Sequence, residues 1–265
     1  MRDGASQSCV QRHGTVAVVQ FKNEPSGLIA TKGAAQLSDS IEELLQDSSV
    51  HAIVLTGGTP GVFIRHADVS QILRAGEALA ENRVDPADFL CSPFARLHRL
   101  CETAPIPIIA AIDGVCMGGG FEIALSCTFR IAGRGVKQIG LPEIRLGIFP
   151  GSGGIGRLGR LLGVHQARAF ILRGAVVEAQ QALTMGLIDE IADSAVARAV
   201  ELANELAGRP PAAVRAIMEL CRHNELEGEL REEVTCFATL LRDHQEILAR
   251  LRAFVAGGES LDKIP

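Results

Sequence analysis

The sequence predicts an α/β fold in which a core of residues 1–193 precedes a helical C-terminal region of residues 194–265. Three observations support this prediction. Short apolar runs bounded by glycine alternate with segments whose apolar residues recur at helical spacing, as in βαβ units. The joints between them are short, so right-handed crossovers between parallel strands are expected. From residue 153 onward, helical patterns separated by Gly or Pro make up almost the whole chain.

Four apolar runs predict the strands. Runs rich in Val and Ile, without alternating polar residues, suit strands that are covered on both faces. The predicted strands are residues 15–21, 51–56, 106–112 and 129–132. The residues before Gly14 are polar, and we expect them to be frayed.

Helices are predicted on both sides of residue 153. Their patterns cover residues 36–46, 86–102, 121–127, 156–162, 164–173, 177–185, 194–207, 212–222 and 226–253. Residues 57–86 mix glycine, proline and charge, and part of this segment is expected to be mobile.

The composition excludes several classes of protein. The chain has 265 residues, 47% of them hydrophobic, with a net charge of −5, which is typical of a globular protein rather than a disordered one. The negative charge disfavours a nucleic-acid partner, and no apolar stretch reaches the ~18–20 residues that cross a membrane. The first residues lack the apolar segment of a signal peptide. Seven scattered cysteines without a Cys-x-x-Cys pair indicate buried thiols, so we expect a cytoplasmic protein without a metal site.

The most informative stretch is residues 107–127, where an apolar strand leads through Gly118, Gly119 and Gly120 into a helix. Glycine allows close approach of a ligand, and a helix start carries unpaired N–H groups that can bind an oxyanion. Glu122 follows on the same helix face. The alternative interpretation is tight packing of helix on strand, with Glu122 merely favourable in a first turn. The glycine spacing fits neither a phosphate loop nor a dinucleotide fingerprint.

A second carboxyl group lies in the apolar segment of residues 139–153. Glu143 is flanked by Leu141, Pro142 and Ile144. An apolar pocket would keep its proton on to higher pH, which suits a general acid. The alternative is a surface acid at the start of a short turn.

These two stretches carry a resemblance to a known family. The runs AAIDGVCMGGGFEIALSC (residues 110–127) and LPEIRLGIFPGSGGIGRL (residues 141–158) resemble the crotonase, or enoyl-CoA hydratase/isomerase, superfamily. The resemblance covers roughly residues 15–222. It implies a ClpP/crotonase-type ββα superhelix with a helical C-terminal appendage for trimerisation. A homotrimer or a dimer of trimers is therefore expected.

The resemblance also implies an activity. Family members polarise an acyl-CoA thioester carbonyl with two backbone N–H groups, which here correspond to those of Ala67 and Gly119. In the hydratases two glutamates hold a water molecule, and their positions correspond to Glu122 and Glu143. Since both are Glu, the resemblance favours addition or removal of water across the 2,3 double bond. The acyl-CoA is the substrate, and no metal or redox cofactor is expected.

Further residues are expected to contact substrate, and one of them departs from the family. These residues are Arg65, His66, Asp68 and Gly118. His66 stands where relatives have Gly; there it could act as a third acid–base group, stack without transferring a proton, or help Arg65 to hold a polar acyl group. The alternatives to a hydratase are therefore an isomerase, an acyl-CoA or carbon–carbon hydrolase that uses His66, and a non-catalytic acyl-CoA-binding protein. Charge for the CoA phosphates could come from Arg242, Arg250, Arg252 and Lys263, although these residues equally suit a solvated surface.

Overall fold

A computed structural model describes residues 7–221 and 226–258 of the chain. The strands are β1 Gln7–His13, β2 Val16–Lys22, β3 Ala52–Gly57, β4 Val62–Ile64, β5 Ile108–Ile112, β6 Val115–Met117, β7 Phe129–Gly133, β8 Ile139–Gly140, β9 Val176–Val177 and β10 Glu190–Ala192. The α-helices are α1 Thr31–Gln46, α2 Val69–Ala80, α3 Pro93–Thr103, α4 Gly119–Ser126, α5 Gly154–Leu162, α6 Val164–Leu172, α7 Ala179–Met185, α8 Ala195–Ala207, α9 Pro211–Leu220, α10 Leu226–Asp243 and α11 Gln245–Ala256.

The larger sheet has six strands in the order β1-β2-β3-β5-β7-β10. The strands from β2 to β10 are parallel, and only β1 is antiparallel to its neighbour. Successive residues of β2 point to opposite faces of the sheet. Val19 and Phe21 pack against helices α1, α3 and α4, whereas Val16 and Val18 pack against α8. Because both faces are covered, the strands are continuous apolar runs, as the sequence predicts.

Helix α8 packs against one face of this sheet. Ala195, Ala199 and Ala203 follow one another at four-residue spacing, are fully buried, and contact the strand residues of that face. Their small side chains let the helix axis approach the sheet closely. The region from residue 194 onward therefore begins with a helix that covers the core.

The smaller sheet positions the site. Its order is β4-β6-β8-β9, and β4, β6 and β8 run parallel. The carboxyl ends of parallel strands meet at one edge of a sheet, which is where α/β proteins bind ligands. Here that edge gathers residues 65–68 after β4, Gly118 and Gly119 after β6, and Glu143 shortly after β8.

Several expectations about elements are wrong. Residues 7–13, expected to be frayed, form β1 and pair along their whole length with β2. Residues 57–86, where the sequence predicts no strand or helix, contain β4 and α2, and the mobility expected for part of this segment stays a prediction. The predicted helix over 86–102 is divided at Ser92 into a 3-10 helix and α3, because Ser92 accepts the Ala95 N–H and caps the second helix. The predicted helix over 226–253 is likewise divided at His244.

The last two helices close the structure over α2. Buried side chains of α10 and α11 pack against Val69, Leu79, Leu146 and Ile148. Helix α9, in contrast, has no buried residue. Within residues 7–221 and 226–258, no helix is both long and apolar enough to cross a bilayer.

Candidate active site

A cavity of about 180 Å³ lies at the edge where β4, β6 and β8 end. Its polar lining comes from the strand ends and from the start of α4. Its apolar lining comes mainly from α2, α10 and the segments before α3 and α5. The apolar lining residues include Ile72, Phe89, Phe94, Phe149, Leu230, Val234 and Phe237. An apolar pocket with a few convergent polar groups is the usual form of a small-molecule site.

Ala67 and Gly119 lie next to each other in the lining of this cavity. A Cβ atom built on Gly119 would lie 3.4 Å from the amide nitrogen of Ala67. A single bridge fixes the Ala67 segment, because the Ile29 N–H donates to the His66 carbonyl at 3.0 Å and the Asp68 N–H donates to the Ile29 carbonyl at 2.8 Å. The intervening Ala67 N–H points away from that bridge. In the described part of the chain, neither this N–H nor that of Gly119 has a hydrogen-bond partner.

Gly118 makes the close approach possible. It has φ of 51° and ψ of −131°, a conformation that L-residues rarely adopt, and it directly precedes α4. A Cβ atom at this position would lie 3.2 Å from Oε1 of Glu143 and 3.4 Å from Cβ of His66. The glycine therefore keeps the strand end, Glu143 and His66 in contact around one point.

Glu122 is buried in the first turn of α4, with 4% of its surface exposed. Its Oε1 accepts the N–H groups of Ser152 and Gly154 at 2.9 and 3.0 Å. Burial raises the pKa of Glu122, whereas these two hydrogen bonds and the positive charge of Arg157 oppose that rise.

Glu143 begins a short 3-10 helix, Glu143–Leu146. Both of its carboxyl oxygens are buried, and neither has a hydrogen-bond partner among the residues that the structure describes. Burial and then the negative charge of Glu122 raise the pKa of Glu143 well above its usual value. This setting favours the protonated form of Glu143, which is the form that a general acid needs.

A third buried carboxyl group, which sequence reasoning missed, approaches from α10. Glu233 accepts the Gly153 N–H on Oε1, and on Oε2 it accepts the N–H groups of Ile155 at 3.1 Å and Gly156 at 3.4 Å. Burial and then the charge of Glu122 raise the pKa of Glu233 to about 8. Since α10 carries several acidic residues, nothing in the sequence distinguishes the one that accepts the amides of residues 153, 155 and 156.

His66 lies in the cavity lining with 4% of its surface exposed. Its Nδ1 is 2.8 Å from the Ala67 carbonyl oxygen. A carbonyl can only accept, so Nδ1 carries the hydrogen, and Nε2 of the neutral ring is an acceptor. Burial lowers the pKa of His66. Its φ is not positive, so the structure needs no glycine at this position.

The side chains of the other two predicted contact residues form hydrogen bonds with neighbouring protein groups. Arg65 is not among the residues that line the cavity, and its Nε donates to the Ser26 carbonyl at 2.9 Å. Asp68 lines the cavity, but its carboxylate caps α2 by accepting the N–H and hydroxyl of Ser70 at 2.9 and 2.6 Å. The structure thus brings His66, Gly118 and the two glutamates together and leaves Arg65 aside.

Two of the arginines considered for CoA phosphates have acidic partners. Arg242 pairs with Asp243, and Arg252 pairs with Glu77 at 2.8 Å. Lys263 lies outside the described residues. Contact of these residues with CoA stays a prediction.

Comparisons with known proteins identify the family of this chain. The model of the family described as enoyl-CoA hydratase/isomerase matches residues 11–253. The chain belongs to the enoyl-CoA hydratase/isomerase family. Over 196 residues, or 74% of this chain, it is 34% identical to the fatty acid oxidation complex subunit alpha of Idiomarina loihiensis, and that of Shewanella halifaxensis is 35% identical over 200 residues. The matched region spans only 27% of the length of these relatives.

Solved structures of the family share the fold. An enoyl-CoA hydratase of Bacillus halodurans superposes with a TM-score of 0.82 at 22% identity, covering 93% of this chain and 99% of that one. Pseudomonas aeruginosa DspI is 32% identical with a TM-score of 0.71, covering 94% of each chain. The predicted crotonase-type α/β fold is confirmed.

Proposed function

We propose that the protein adds water to, or removes it across, the 2,3 double bond of an acyl-CoA thioester. One observation carries this proposal. Ala67 and Gly119, whose N–H groups have no partner in the described structure, line the same cavity as two buried acids, Glu122 and Glu143. This arrangement matches what the hydration reaction requires at the carbonyl and at the adjacent carbons.

The two N–H groups would stabilise the enolate. When hydroxide adds to C3 of a conjugated thioester, negative charge moves onto the thioester oxygen. Fixed donors aimed at that oxygen need no reorganisation during the reaction, and removal of one such donor typically lowers the rate about 10²–10³-fold. The substrate carbonyl would take up the hydrogen bonds that Ala67 and Gly119 do not make within the protein.

The two glutamates would then divide the proton transfers. Glu122 accepts two backbone hydrogen bonds and lies near Arg157, so within the coupled pair it is the group that ionises first. As a carboxylate it would take a proton from water while the oxygen bonds to C3. Glu143, protonated in its apolar setting, would donate its proton to C2. Proton exchange with water restores both groups.

The cavity favours a compact apolar acyl group. Its volume of about 180 Å³ exceeds by little the ~150 Å³ of an engineered apolar cavity that holds benzene. The lining away from the glutamates is aromatic and aliphatic. Short enoyl thioesters such as crotonyl-CoA are therefore the substrates to test first.

Steady-state hydration of crotonyl-CoA, followed by loss of the enoyl-thioester absorbance, tests the proposal. Wild type is expected to turn over, and Glu143→Ala is expected to lose activity by about 10²–10⁴-fold. Full activity in the variant would discard the mechanism with two glutamates. Tight binding of acyl-CoA in calorimetric titration, without turnover over a broad panel, would indicate a non-catalytic binding protein.

A thioester hydrolase is the second candidate, favoured by the acceptor nitrogen of the buried His66. A neutral imidazole could activate water against the carbonyl carbon and release free CoA thiol. Thiol release that is lost in His66→Ala but kept in Glu143→Ala would support hydrolysis. Hydration that survives His66→Ala, without thiol release, would support the hydratase.

The wider assignments follow from the family resemblance. We propose a homotrimer or a dimer of trimers, a cytoplasmic location, and chemistry that needs no metal or redox cofactor. The names of the two alpha subunits support a role in fatty acid oxidation. This chain matches 27% of the length of those subunits.

A further inference from the structure

Two buried carboxyl groups share the backbone amides of residues 152–156, which are the last two residues before α5 and the first three of that helix, together called loop 152–156 below. From residue 152 to residue 155 successive amides donate to the two carboxyl groups in turn, and the amide of residue 156 donates to the same group as that of residue 155. The donors to Glu122 are Ser152 and Gly154, and the donors to Glu233 are Gly153, Ile155 and Gly156. The position of one carboxyl group therefore depends on the same peptide units that hold the other.

Glu233 satisfies donors that the helix cannot satisfy. Gly154, Ile155 and Gly156 are the first residues of α5, and the first amides of a helix have no acceptor within the helix. The helix dipole adds a preference for negative charge at this end. Glu233 is only 9% exposed, so it meets these amides away from bulk water.

The loop is also held from its other side. Arg157 donates from Nη1 to the Ser152 carbonyl at 2.6 Å, and its Nε is 2.5 Å from Oε1 of Glu102. Gly153 has φ of 92°, a conformation that favours glycine. The path of loop 152–156 is therefore set by Arg157, which binds one of its carbonyl groups, and by the two glutamates, which bind its amides.

We propose that Glu233 is a positioning residue that holds loop 152–156 in the geometry that orients the Glu122 carboxyl group in the cavity. This inference rests on the proposed function for the role of Glu122 but not for the contacts themselves. It gives α10 a part in the reaction, although the motifs that carry the family resemblance end at residue 158. The C-terminal region thus completes the active site as well as covering it.

Variants of two glutamates on the same helix test the proposal. Glu233→Gln keeps one acceptor oxygen, whereas Glu233→Leu keeps none. Glu229→Gln is the matched control, because Glu229 lies one turn earlier, pairs with Arg160 of α5, and accepts no loop amide. The readouts are kcat and KM for crotonyl-CoA and hydrogen exchange at amides 152–156.

We expect kcat to fall about tenfold in Glu233→Gln and about hundredfold in Glu233→Leu, since small misplacements of a reacting group have effects of this size. KM should stay within about twofold, because Glu233 does not hold the thioester. Exchange at the loop amides should be faster in both variants, with β3 and β5 unchanged. Glu229→Gln should behave as wild type.

Three results would overturn the proposal. The first is wild-type kcat and loop exchange in both Glu233 variants. The second is an equal loss in Glu229→Gln. The third is faster exchange throughout β3 and β5, which would mean general destabilisation. If wild type hydrates no enoyl thioester, the proposed function fails, and the exchange data still decide whether Glu233 fixes the loop.

Discussion

Glu143 lies in an environment that is unfavourable to its own charge. Its two carboxyl oxygens are buried without hydrogen-bond partners in the described structure, and the neighbouring Glu122 is also acidic. Such a group is held in place by the surrounding fold at the expense of stability. This combination is typical of functional sites, where proton affinity matters more than stability.

Glu143→Gln should therefore gain stability while it loses activity. A folded-state pKa above the usual 4.5 means that the folded chain retains a proton that the unfolded chain has released. Wild-type stability consequently falls as pH rises through that window, whereas the amide does not titrate. We expect the melting temperature of the variant, relative to wild type, to increase with pH above about 4.5. Thermal melts in a pH series check this, and a difference that shrinks with pH would contradict it.

The N–H group of Gly119 can be removed with little change to the helix. Gly119 is the first residue of α4, a position that tolerates proline. A Cβ at this position meets Cβ of Ala67 at 3.1 Å, so Gly119→Ala controls for the added carbon. We expect kcat of Gly119→Pro to lie about 10²–10³-fold below that of Gly119→Ala. Equal kcat values in two folded variants would rule out this N–H as an oxyanion donor.

Sequence reasoning identified the site residues unevenly. Glu122 follows a glycine turn and Glu143 lies in an apolar segment, but both patterns also fit structural roles, and only the family resemblance assigns the two residues to a site. Glu233 has no such pattern, because its role depends on how α10 docks against α5. Arg65 was expected to contact substrate from its position in the chain, but its side chain turns back to Ser26. Side-chain direction at a loop depends on tertiary contacts.

At the level of elements, the buried strands were the most predictable. Strands β2, β3, β5 and β7 are continuous apolar runs, and their sequence signal is local. Strand β1 is polar and mostly exposed, so its existence depends on pairing with β2 rather than on its own composition. The strands of the smaller sheet have only two or three residues, too few to show a period.

Two helical glycines should respond to alanine in opposite directions. A Cβ on Gly120 of α4 would fall onto the carbonyl oxygen of Ile64, which belongs to β4. Gly120→Ala should thus lower the free energy of unfolding by at least about 1–3 kcal/mol, since backbone must move. Gly159 of α5 has nothing within 4 Å of a built Cβ, so Gly159→Ala should raise it by about 0.5–1 kcal/mol. Denaturant titration checks both, and two changes of the same sign would contradict this packing.

At the scale of the whole molecule, exposed apolar side chains on α6 and α9 support the proposed assembly. On α9, Leu220 is 84% exposed and Ile217 is 60% exposed, and on α6, Val164 and Leu172 are similarly exposed. Exposed apolar surface of this kind commonly marks an interface. Helix α9 has no buried residue in the isolated chain, so it has apolar surface to offer a second copy.

We expect light scattering after size exclusion to give three or six times the mass of one chain. Leu220→Glu places charge on the apolar face of α9 and should shift the protein to smaller species. Val84→Glu is the control, because Val84 is also exposed, at 37%, but lies outside these helices. A monomeric wild type, or equal effects of both substitutions, would contradict the proposed assembly.

We propose that Glu122 and Glu143 act together in one step on one substrate. The most direct measurement is a double-mutant cycle on kcat for crotonyl-CoA hydration, with Glu122→Gln, Glu143→Gln and the combined variant. Groups that act as a unit are strongly non-additive, so the double variant should lose about as much as the worse single variant. Wild-type rates in either single variant, or a double loss equal to the product of the single losses, would contradict the account.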